Sequence, residues 1–143
     1  MYLDTAILVK LFARESDSEF FGKLTDGENI SSSVLSVTEV YSALLRKERN
    51  GELTVTEQRG AWASFENAVE EGMIELAPFH DAIFRKANRI MEQCNPKVAL
   101  RSLDALHLAT CDQLQDWPLC TTDVRMREAA GLLQFPLNEM PHD

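Results

Sequence analysis

Three things are scarce in this 143-residue chain, and each scarcity closes off a class of protein. Soft metal ligands come first. Cys94, Cys111 and Cys120 are its three cysteines, an odd number with no C-x-x-C spacing. That argues against a zinc site and more strongly against a disulfide scaffold, and reduced thiols in a cytoplasm are the expectation. Long apolar runs come second. The longest falls far short of the roughly 20 residues a membrane span needs; nothing basic precedes the first apolar segment and no cleavage site follows it, so neither an anchor nor a secretory leader is expected. Positive charge comes third. The 14 Lys and Arg face 23 Asp and Glu, for a net charge of −9, which argues against generic nucleic-acid binding driven by phosphate neutralisation.

What is present describes an ordinary soluble globule, 45% hydrophobic with a mean hydropathy of −0.21. Neither a repeat nor a low-complexity tract nor a linker divides it, so one domain spanning 1–143 is expected. The charge is unevenly spread. Residues 48–75 carry seven acids against Arg49 and Arg59, whereas residues 85–101 carry Arg85, Lys86, Arg89, Lys97 and Arg101 against Glu92. An acidic side and a basic side follow from that distribution.

Local signals alternate between the two periods of secondary structure. Tyr2-Leu3 reads as a strand and 5–14 as a helix; Ser16-x-x-Glu19 has capping-box spacing for a second helix ended by Asp26-Gly27. "NISSS" is a strand, followed by a helix over 36–50 that stops at Asn50-Gly51. Thr54-x-x-Glu57 opens a helix reaching Glu71-Gly72, and "MIELA" alternates like a strand. Asp81 caps a helix over 82–94, broken by Asn95-Pro96. A helix over 102–115, a strand at "LCTT", a helix over 124–132 and a last strand in "LQFPL" complete the chain. Strands alternating with helices predict an α/β, three-layer sandwich around a short, mainly parallel sheet.

In such sheets ligands bind beyond the carboxyl ends of the strands, and acids stand there. Asp4 follows the first strand, Asp123 follows "LCTT", and Glu39 lies one turn into the helix after "NISSS". Asp104 is the fourth, within an apolar stripe of Leu100, Leu108 and Cys111, where a lone charge is costly unless paired or bound to metal. Each acid also has a structural explanation. Asp4 and Asp123 suit N-caps, Ser36-x-x-Glu39 has capping-box spacing, and Asp104 lies in a first turn where negative charge suits the helix dipole. Capping does not account for four acids converging on one edge.

The segments "YLDTAILVKLFARE", "SVLSVTEVYSALLR", "LRSLDALHLATC" and "LCTTDVRMREAA" together resemble the PIN domain. The resemblance is nearest to the toxin ribonucleases of prokaryotic VapBC toxin–antitoxin modules, and it covers essentially the whole chain. It implies that Asp4, Glu39, Asp104 and Asp123 are catalytic metal ligands of an endoribonuclease. It further implies an RNA substrate, an antitoxin partner and a homodimer. One departure is visible: the family's serine two residues after the first aspartate is Ala6 here, which leaves Thr5 as the nearby hydroxyl.

Elementary electrostatics agree with that reading. Two carboxylates about 4 Å apart repel by roughly 4 kcal/mol at an effective dielectric of 20, so four clustered acids require cations or proton uptake. Oxygen ligands alone favour Mg²⁺ or Mn²⁺ over Zn²⁺. Thr121 and Thr122 are candidates to hold a carboxylate or the scissile phosphate, and Arg46, with Lys10 and Arg14, to meet substrate phosphate. His107, one turn from Asp104, is a candidate base or a packed histidine. Trp62, Phe65 and Val69 read as core or dimer face. A dehalogenase-type phosphatase lacks its second aspartate at Ala6, and a receiver domain lacks its lysine after the last strand. A catalytically inactive PIN fold that binds protein or RNA is the remaining alternative.

Overall fold

The computed structural model describes residues 1–142, so the last residue of the expected 1–143 unit lies outside the described residues. In chain order the elements are β1 (Tyr2–Leu3), α1 (Thr5–Phe12), α2 (Ser18–Thr25), β2 (Ile30–Ser33), α3 (Leu35–Arg49) and α4 (Val55–Glu70). They continue with β3 (Ile74–Ala77), α5 (Asp81–Cys94), α6 (Ser102–Leu114), β4 (Leu119–Cys120) and α7 (Val124–Leu133). The four strands form one parallel sheet in the order β3-β2-β1-β4.

Central β1 shows why the sheet is covered on both sides. Side chains alternate across a strand, so Tyr2 enters one core and Leu3 the other, both fully buried. Helices α1 to α4 pack among themselves over the Leu3 face, around Ile7, Leu8, Phe21, Val40, Leu44 and Phe65. Helices α5 to α7 pack over the Tyr2 face, where Ile83, Ala87, Ile90 and Cys94 supply one stripe of α5 at helical spacing. Burying each large apolar side chain contributes about 1.5–3 kcal/mol, and these stripes rather than intrinsic propensity hold the helices on the sheet. The result is the expected three-layer α/β sandwich.

Several boundaries differ from the sequence reading. Helix α1 stops at Phe12 because buried Ala13 turns to extended backbone. The Ser16 capping box does not form; Asp17 is the N-cap of α2, and Ser18 Oγ accepts from the Glu15 amide at 2.8 Å. His80, not Asp81, is the N-cap of α5. Strand "LCTT" ends at Cys120, since the Thr121 amide donates to Asn138 Oδ1 at 3.0 Å instead of to a strand. The "LQFPL" strand is reduced to a single parallel bridge between Leu119 and Leu137. By contrast the Thr54–Glu57 capping box is present in both directions, and Gly51 follows α3 at φ +74, where a side chain would be strained. All three cysteines are buried and free. Among the described residues no helix is long and apolar enough to cross a membrane.

Candidate active site

The strand order creates the site. The chain leaves β1 for β2 and then β3 on one side, and later returns to place β4 on the other side of β1. Between β1 and β4 the connections diverge, opening a crevice at the strands' carboxyl ends. Asp4 and Asp123 stand on its two lips, each as the N-cap of the helix that follows. Asp4 accepts from the Ile7 amide at 3.0 Å, and Asp123 accepts from the Met126 amide at 2.9 Å. Glu39 projects from α3 and Asp104 from α6. All four acids line one cavity of about 720 Å³, together with Thr5, Ala6, Lys10, Arg46, Arg101 and His107.

Every carboxylate is held by protein donors. Thr121 Oγ1 donates to Asp4 Oδ2 and accepts from the Asp123 amide at 3.0 Å, tying the two lips together through one buried hydroxyl. Burial pushes the Asp4 carboxyl above its ordinary range, against the Thr121 and Ile7 hydrogen bonds, and the charge of Asp123 adds to the rise. Glu39 behaves oppositely. Burial works to raise it, but the hydrogen bond and charge of His107 and the hydroxyl of Thr5 outweigh that and hold it low. Thr5 Oγ1 donates to Glu39 Oε1 at 2.7 Å, and His107 Nε2 lies 2.7 Å from the same oxygen. A carboxylate only accepts, so Nε2 carries the proton. Tyr2 Oη lies 2.7 Å from Nδ1, its phenol kept protonated chiefly by burial. Both ring nitrogens are therefore occupied.

The start of α3 explains how Glu39 reaches the cavity. Ser36 is not a cap: Val34, in helical conformation, precedes the helix, and Ser36 lies buried in its first turn. Its hydroxyl meets Ser32 Oγ at 2.8 Å, and Ser32 in turn donates to the Leu3 carbonyl at 2.7 Å. This polar seam fastens α3 to β1 and leaves Glu39 free of backbone duties. Asp104 is buried among its apolar neighbours and accepts from Arg101 Nε at 3.0 Å, while Arg101 also reaches Asp123 Oδ2 at 3.7 Å.

Not every expected residue arrives at the cavity. Arg46 and Lys10 line it, but the Lys10 ammonium is held by Glu15 and Asp17. Arg14 and Thr122 do not line it, and Thr121 acts through its bonds to Asp4 and Asp123. Four participants were missed at the level of sequence, Tyr2 at His107 among them. Arg101 was counted only in a basic stretch, although its i, i+3 spacing to Asp104 was readable. Arg127 donates to the Thr121 carbonyl at 2.9 Å and to Asn138 Oδ1 at 3.0 Å, and Asn138 in turn accepts the Thr121 amide. The Arg127–Asn138 pair braces the turn that presents Asp123, and no local signal marks it.

The donor set fits a hard divalent cation. Four carboxylates from four elements face one crevice, and no thiolate is among them. Among the described residues no three His, Cys, Asp or Glu side chains are gathered tightly enough to hold an ion as they stand. Protein donors engage all four: Thr121 links Asp4 to Asp123, Arg101 bridges Asp104 and Asp123, and Thr5 with His107 holds Glu39.

Comparison with known proteins extends these observations. The chain is 34% identical over 138 residues to Ribonuclease VapC46 of Mycobacterium tuberculosis, an alignment covering 93% of this chain and 92% of that protein. A solved toxin–antitoxin complex from Klebsiella pneumoniae shares the fold, with a TM-score of 0.58, 18% identity and 87% of each chain covered. The PIN domain matches residues 1–132. A parallel sheet whose switch point gathers four acids, that match and the VapC46 alignment lead to one conclusion: the chain belongs to the PIN domain family.

Proposed function

We infer that the protein is a VapC-type toxin, an endoribonuclease that hydrolyses RNA phosphodiester bonds with Mg²⁺ or Mn²⁺. The observation that carries this reading is the convergence of Asp4, Glu39, Asp104 and Asp123 on one cavity at the switch point of the sheet. These four residues would hold the cation. When bound, it supplies charge stabilisation for the leaving oxygen and lowers the pKa of an attacking water.

The remaining roles belong to the protein's own groups. Thr121 fixes the spacing of Asp4 and Asp123. Thr5 and His107 orient Glu39 through Oε1, and Tyr2 takes the other ring nitrogen of His107; with both nitrogens engaged, His107 is a positioning residue rather than a base. Arg46, on the cavity wall, meets the RNA backbone. The acidity of the whole chain does not oppose this, because a bound divalent ion reverses much of the local field.

The partner we assign is an antitoxin protein, by analogy with the toxin–antitoxin complex that shares the fold. We further propose that residues 1–143 act as one domain, that the protein is a homodimer, and that it works in the cytoplasm, consistent with three free thiols. Incubation of purified protein with RNA in Mg²⁺ or Mn²⁺ should give cleavage that excess EDTA abolishes. Cleavage unchanged by the chelator would refute the metal mechanism, and no cleavage under any condition would favour a binding module.

A further inference from the structure

Among the described residues Arg101 is the one lysine or arginine paired with the four acids of the site. It is the N-cap residue of α6, yet its side chain makes no capping bond. Its guanidinium instead bridges Asp104 (Nε to Oδ2, 3.0 Å; Nη2 to Oδ1, 3.5 Å) and Asp123 (Nη2 to Oδ2, 3.7 Å). Lys10 and Lys47, which line the same cavity, are committed to Glu15, Asp17 and Glu52. The Arg101 side chain is 64% exposed, whereas that of Asp104 is 11% exposed.

We propose that Arg101 is an exchangeable counter-ion, holding Asp104 and Asp123 in the ion-free site and turning to the substrate phosphate when a divalent cation takes its place. The inference rests on the metal-dependent reading above. Three arguments support it. One short bond and two long contacts at an exposed side chain are weak, so release costs little. A doubly charged ion competes for the same carboxylate oxygens and repels the guanidinium from them. Once released, the guanidinium remains on its anchored backbone at the cavity mouth, where its planar fork suits bidentate contact with a phosphate. The same exchange explains why the four acids face one crevice without being gathered for an ion: two of them are turned toward Arg101.

The test is a calorimetric titration of Mg²⁺ into the metal-stripped full chain, with no RNA present. Arg101→Met removes the charge and keeps the stem. It should bind Mg²⁺ roughly two- to fivefold more tightly than the parent, the scale of an exposed ion pair, and Arg101→Lys should lie between. Equal or weaker Mg²⁺ binding in Arg101→Met overturns the exchange. At saturating Mg²⁺, Arg101→Met should raise KM for an RNA oligonucleotide several-fold with a smaller change in kcat; an unchanged KM overturns the phosphate role. Asp104→Asn separates the two levels of failure. If it binds Mg²⁺ like the parent, the metal site itself is wrong; if it loses Mg²⁺ while Arg101→Met is unaltered, the exchange alone fails.

Discussion

In the proposed mechanism Asp4 serves two purposes whose electrostatic demands conflict. As the N-cap of α1 it needs an oxygen, which Asn supplies nearly as well; as a cation ligand it needs a charge, which burial disfavours. Its folded-state pKa lies above the ordinary value of 3.8, so ionisation of Asp4 opposes folding. That contribution is most favourable below the unfolded value and is lost as pH rises through the folded one. Without metal, Asp4→Asn should therefore melt at or above the parent temperature at neutral pH, and the difference should shrink as pH falls toward the ordinary carboxylate range. Mg²⁺ should reverse the order by stabilising the parent alone. Glu39 has the opposite sign: its pKa is lowered from 4.5, so its stability is present above that value and lost as pH falls through the folded one. Thr121→Val removes a buried hydrogen bond to a charged group and should cost about 1–3 kcal/mol, measured by denaturant unfolding, with Thr121→Ser restoring it. Asp104→Asn should lose most cleavage and weaken Mg²⁺ binding, while leaving the ion-free melt little changed. A loss of about 0.3–1 kcal/mol with normal cleavage would mark a helix-dipole role instead.

At the scale of elements, one sequence pattern met three fates. S/T-x-x-E stands near the start of a helix at Ser16–Glu19, Ser36–Glu39 and Thr54–Glu57, and a capping box forms only at the last. Thr54 enters α4 from an exposed turn with extended backbone, free to point at its own helix. Ser36 enters from the end of β2 with helical backbone already set, and its hydroxyl is drawn into the buried seam with Ser32. Tertiary packing thus overrides the local preference at Ser36. The element-level prediction follows: Thr54→Ala should cost about 1 kcal/mol of stability and leave cleavage unchanged, because the cap lies outside the cavity. Reduced cleavage with unchanged stability would contradict it.

For the whole molecule the question is what covers the exposed aromatic and aliphatic side chains between α3 and α4. Phe12 is used internally, in edge contact with Phe65 at 5.6 Å. Tyr41 is 42% exposed and meets Trp62 edge-on at 4.9 Å, and Val55 beside them is also exposed. The proposed homodimer would cover Tyr41 and Val55, which stand beside Glu48 and Arg59 on this face. Light scattering on the pure protein should give about twice the 16.2 kDa chain mass; a species of one chain mass at tens of micromolar would refute it.

Much of this protein was legible in the sequence because its determinants are local. Apolar periodicity marked the helices and strands, Gly51 marked the end of α3, and the ends of predicted strands located Asp4 and Asp123. Asp104 stood out because a carboxylate in an apolar stripe needs a partner, and Arg101 is the partner the structure supplies. Other features depend on contacts between residues far apart in the chain. Asn138 ends β4 by taking the Thr121 amide across 17 residues, and Tyr2 orients His107 across 105. Composition and spacing carry no trace of such pairings, since neither partner has a preference that exists without the other. Sequence alone thus determined which acids stand at the strand ends, through patterns that burial imposes on any sheet of this kind. The tertiary structure decided which hydroxyl, imidazole or guanidinium holds each acid, because those bonds form only once the layers close and exclude water.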